Sequence, residues 1–90
     1  MSARHDPGPW TFDGRFVGSG HAKANICECR DHSGCWTDSS EAVANARLIS
    51  AAPELLDALR ALLHSSGVDE RASAQMQSHA AINKATGGAA

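Results

Sequence analysis

A chain of 90 residues with a formal net charge of −2 and a sequence pI near 6.2 is not built to bind bare nucleic acid by charge, which needs clustered Lys and Arg. Its eight basic residues are scattered, its apolar runs are too short for a membrane span, and MSARHDPGPW lacks the apolar core of a signal peptide. The expected location is therefore the cytoplasm, with reduced thiols. Three cysteines, an odd number, do not close a disulfide framework.

The length sets one small domain, residues 1–90, with a thin stability margin. The 42% hydrophobic content overstates the core, because much of it is alanine and the aromatic set is two Phe and two Trp. Such a chain often leans on a partner, a metal or self-association, so a partner-bound state or a homodimer is expected about as readily as a monomer.

Residues 1–8 read as a flexible arm, and Pro7-Gly8-Pro9 as an extended or turned lead-in. A β-meander is expected over 9–36. Trp10-Thr11-Phe12 is the first strand, Asp13-Gly14 a two-residue hairpin turn, and Arg15-Phe16-Val17 the return strand. Trp10 and Phe12 share one face, and with Phe16 they are expected to form the sheet side of the core. Ala24 to Cys29 is the third strand, and the segment from Asp31 to Ser40 a polar loop.

A helical hairpin is expected over 38–66. Asp38 and Glu41 have the form of a capping box, with Asp38 as N-cap. The first helix runs from about Ser39 to Ala51, with Asn45, Leu48, Ile49 and Ala52 as its inward stripe. Pro53 suits the first turn of a new helix, whose inward stripe is Leu55, Leu56, Leu59, Leu62 and Leu63. Ser65-Ser66-Gly67 stops it. A third, weaker helix over 68–86 carries Ala72, Met76, Ala80 and Ile82, and a disordered tail over 87–90 follows. The predicted fold is α+β: a small antiparallel meander of about three strands, packed by a helical hairpin and a weaker third helix.

Three stretches of wording resemble a known family. Pro7-Gly8-Pro9-Trp10, then Ala44 to Ile49 (ANARLI) with Ala51 to Leu56 (AAPELL), and finally Ala80 to Gly87 (AAINKATG) are similar to a family of small phage and prophage proteins of unknown function. The resemblance spans most of the chain. It implies a mobile-element origin and a bacterial host cytoplasm, and it carries over no reaction. The segment from Cys27 to Cys35 departs from the family pattern.

That segment holds the sharpest chemical signal. Cys27, Cys29, His32 and Cys35 place three thiols and an imidazole within nine residues, and a Cys3His set satisfies tetrahedral zinc. Alternation puts Cys27 and Cys29 on one strand face. The C-x-C spacing is tighter than a standard knuckle, and the alternative is that these cysteines are small buried hydrophobes. A Cys–His nucleophile pair would further need an orienting group and an oxyanion site. Trp36 and His21 are candidate partner-binding residues, with Trp36 either stapling a helix or anchoring an interface. Asn45 is expected to hydrogen-bond nearby backbone, and Arg47 to sit in solvent.

The leading expectation is a non-enzymatic phage or prophage accessory protein that binds a host or phage protein, a counter-defence inhibitor of the anti-CRISPR kind being one version. The alternative is a zinc-stabilised module attached to a nucleic-acid process, and a small thiol-dependent hydrolase is the third reading.

Overall fold

The structure is a computed structural model that describes residues 5–19, 25–34 and 38–88. It is α+β, as expected: an N-terminal three-stranded antiparallel sheet followed by three helices. The strands β1 (Trp10–Asp13), β2 (Phe16–Ser19) and β3 (Asn25–Glu28) lie in sequence order. Asp13 pairs with Phe16, so the hairpin loop is Gly14-Arg15, one residue later than the Asp13-Gly14 pattern suggests. Gly14 has φ +58°, the left-handed region that side chains disfavour, and a Cβ there would lie 2.8 Å from the Asp38 carboxylate.

Strand alternation explains which aromatics reach the core. Phe12 pairs with Val17, and Val17 with Cys27, so these three point to one face. Val17, Cys29 and Ala46 form the buried cluster, with Trp10, Phe12, Cys27 and Ile49 packed on it. Phe16 is one residue out of phase. It lies on the opposite face, where the Arg15 guanidinium sits 4.6 Å from its ring centroid. Val17 takes the core place expected of Phe16.

Helix α1 spans Ser40–Ser50, and its N-cap is Ser39, whose hydroxyl accepts from the Ala42 N–H at 3.2 Å. Asp38 is not the cap, because its carboxylate accepts the Arg15 N–H at 3.0 Å. Helix α2 spans Ala52–His64 and follows directly, with Pro53 in its first turn as expected. Helix α3 spans Val68–Thr86 and is closed by Gly87 in the left-handed conformation, a standard helix stop. Gly87 and Gly88 thus belong to an ordered cap, and Ala85 is buried.

All three inward stripes differ from the expected ones. In α1 the buried positions are Ala42, Ala46 and Ser50; of the expected stripe only Ile49 packs on the core, half-buried, while Asn45, Leu48 and Ala52 are exposed. In α2 they are Pro53 and Ala58, with Leu55 and Leu56 half-buried, and Leu59 and Leu63 are 65% and 79% exposed. In α3 they are Ala74, Ala81 and Ala85, while Ala72, Met76, Ala80 and Ile82 face out. The physical reason is close approach: alanine seams let helix axes come together, whereas leucines would hold them apart. α2 and α3 pack on each other, α1 packs on the sheet and on α3, and α1 barely touches α2. The α2–α3 hairpin is therefore an arm beside the sheet layer. The radius of gyration is 14.8 Å, against about 12 Å for a compact chain of this length.

The expected flexible arm is tied down over its described part. The Asp6 carboxylate accepts from the Gly8 N–H at 3.0 Å and the Ser19 hydroxyl at 2.6 Å, and the Asp6 carbonyl accepts the Trp10 indole N–H at 3.1 Å. Residues 1–4 and 89–90 lie outside the described residues.

Candidate functional site

Arg15 organises the edge of the sheet nearest α1. Its Nε donates to Glu28 at 2.6 Å and its Nη1 to Asp38 at 3.2 Å, while its carbonyl accepts the Cys29 N–H at 2.7 Å. The hydrogen bond to Glu28, reinforced by Asp38 and by both charges, raises the guanidinium above its ordinary pKa. The hairpin turn, the end of β3 and the start of α1 are thereby joined at one residue.

Beside this junction lies an open groove lined by Cys27, Cys29, Arg30, Asn45, Leu48 and Ile49. Asn45 Nδ2 donates to the Arg30 carbonyl at 3.0 Å, the backbone bond expected of it, made here from an exposed position. Leu48 is 53% exposed on the rim. Cys29 is buried and Cys27 half-buried, and both are free thiols. They are neighbours, and burial first, then Cys29, pushes the Cys27 thiol above its ordinary pKa.

His32 does not join the thiols. Its Nδ1 lies 3.0 Å from a Glu41 oxygen, and its backbone N–H donates to the same carboxylate. The hydrogen bond to Glu41, then the charges of Glu41 and Asp31, raise the imidazole pKa. Glu41 thus docks the 31–34 turn instead of completing a capping box. Among the described residues no three His, Cys, Asp or Glu side chains converge as a metal site would require. Of the four proposed ligands, Cys27 and Cys29 come together, His32 is engaged elsewhere, and Cys35 lies outside the described residues, as do the candidate partner-binding residues Trp36 and His21.

A second corner was not evident from spacing alone. Lys84 Nζ donates to Glu54 at 2.7 Å and to the Trp10 carbonyl at 2.9 Å, joining α3, α2 and β1. The Arg47 guanidinium lies 5.1 Å from the Phe12 ring centroid and closes on Gly87, where a Cβ would meet Nη1 at 2.7 Å. Arg47 is thus half-buried, not solvated as expected. Gly8 backs onto Pro53, whose side chain would lie 3.1 Å from an added Cβ. The three distinctive stretches of sequence, around Pro9, around Pro53 and around Lys84, therefore meet in one place. Lys84 and Glu54 stand in sequence stretches already notable for their wording, which was the available signal.

Residues 1–89 match the family of Salmonella phage P22 protein Y8K6. The chain belongs to that family of small phage proteins. No curated protein and no solved structure matches it. The resemblance to small phage proteins thus holds over nearly the whole chain. Among the described residues no helix is long and apolar enough to cross a membrane.

Proposed function

We propose that this phage protein acts without catalysis, by binding another protein of the host or of the phage in the host cytoplasm. One observation carries the reading: the helices bury alanine and expose leucine. Ala42, Ala46, Ala51, Ala58, Ala74 and Ala81 are buried, while Leu48, Leu59, Leu63 and Met76 are more than half exposed. Contiguous apolar side chains on the outside mark interaction surfaces, and Leu59 and Leu63 stand one turn apart on α2. The negative net charge supports a protein partner over nucleic acid. Phage origin is the support for the narrower version, an inhibitor of host defence of the anti-CRISPR kind.

The test is native mass spectrometry of tagged protein recovered from host lysate, with Leu48→Glu and Leu59→Glu variants alongside. A stoichiometric complex lost in at least one variant is expected. Recovery of no complex, or of one indifferent to both changes, contradicts the proposal. Loss of interference in a CRISPR-immunity assay on expressing the protein would support the narrower version, and full immunity would remove it. The neighbouring Cys27 and Cys29 thiols favour a second reading, the zinc-stabilised module. Elemental analysis finding well under one zinc per chain in protein kept from chelators removes it.

A further inference from the structure

Leu59 and Leu63, exposed, and Leu56, half-buried, form a ridge on α2, spaced i, i+3, i+7 along one side of the helix. It points away from the seam that Ala58 and Ala61 make with α3. Leu55 and Leu62 border the ridge on one flank. Asp57, Arg60 and His64, all exposed, border it on the other. Along that charged flank the sign runs from acidic near the helix start to basic near its end.

We propose that this ridge is the interface of a homodimer, in which α2 packs antiparallel on α2 of a second copy about a two-fold axis near Leu59 and Arg60. The inference rests on the binding reading above and names the occupant of one surface. In an antiparallel two-fold pair each flank faces its own symmetry mate. Leu56 then meets Leu63 of the partner subunit, and Asp57 falls between Arg60 and His64 of the partner subunit. The Leu55–Leu62 flank meets its own copy, apolar on apolar. A parallel pairing would set Asp57 and Arg60 against leucines. The charge pattern is thus self-complementary in one orientation, as an interface between identical surfaces requires. Exposed ion pairs add little affinity, and their role here is to choose the orientation. A helix of 13 residues is about 20 Å long and about 10 Å across, so one face offers on the order of 200 Å², well short of the roughly 800 Å² per partner of a standard interface. The dimer is therefore weak and reversible, and the Leu48 groove stays free for another partner.

Sedimentation equilibrium on the full chain, from about 5 to about 500 μM, tests this. The mass is expected to rise from 9.4 kDa toward twice that value. Leu59→Glu and Leu63→Glu, both at exposed positions, should each weaken association at least about tenfold, or 1.4 kcal/mol, with unchanged circular dichroism. Asp57→Arg should weaken it, and Asp57→Arg with Arg60→Asp should restore it. A monomer at every concentration overturns the proposal, as does a dimer indifferent to Leu59→Glu or a double swap no better than the single change. A monomer that still forms a stoichiometric host complex through Leu59 overturns the dimer alone. A monomer that binds nothing overturns both readings.

Discussion

The corner around Pro53 and the outer face of α2 are built on opposite terms. At the corner, small residues and specific polar contacts fill the space: Gly8 against Pro53, Lys84 bridging Glu54 and the Trp10 carbonyl, Arg47 over Phe12. On the outer face of α2, Leu59 and Leu63 stand where no other described element covers them. The difference teaches that residue size alone is a poor guide to where this chain keeps its core. Alanine, which contributes little apolar area per residue, holds the seams, and leucine faces outward.

The contrast can be broken most sharply at an alanine. Ala46 is fully buried against Val17 and Cys29, so Ala46→Leu should overpack the α1–sheet seam and lower stability by about 3 kcal/mol, read from urea unfolding. Lys84→Met keeps the stem but strips the bridge. Both charged partners are about one-third exposed, and with that screening the loss should be about 1–2 kcal/mol. Gly14→Ala puts a side chain in the left-handed region against Asp38, at a cost of about 1–2 kcal/mol.

The smallest of these effects is a titration. His32 is exposed, and Glu41 raises its pKa in the folded chain. Its contribution to stability is thus fully present below the unfolded value of about 6.5 and is lost as pH rises through the higher folded pKa. An NMR titration should place the imidazole midpoint above that of a model peptide, and Glu41→Gln should bring it back down. A midpoint unmoved by Glu41→Gln would show that the 31–34 turn is not docked on α1.

Much of the fold was legible because local backbone chemistry decided it. Asp13-Gly14 announced a hairpin, Pro53 a new helix start, Ser66-Gly67 a stop, and period-two alternation put Trp10 and Phe12 on one face. The helix phases were not legible, because a leucine stripe and an alanine stripe coexist on α2, and hydrophobicity favours the wrong one. Only the close approach of α3 selects Ala58 over Leu59. Asp38 and Glu41 were misread for a related reason. Each matches a local capping pattern, and each is taken instead by a group distant in sequence, Arg15 or the His32 turn. The adjacency of Cys27 and Cys29 followed from alternation. The departure of His32 did not, since it depends on where Glu41 projects from α1.

The claim that the chain keeps alanine inside and leucine outside is tested most directly by urea unfolding of Leu59→Ala with Leu63→Ala, measured at low micromolar concentration, where the proposed weak dimer would be dissociated. The expected result is stability within about 0.5 kcal/mol of the parent. A loss of about 2–5 kcal/mol per leucine, the cost of emptying a buried site, would contradict it.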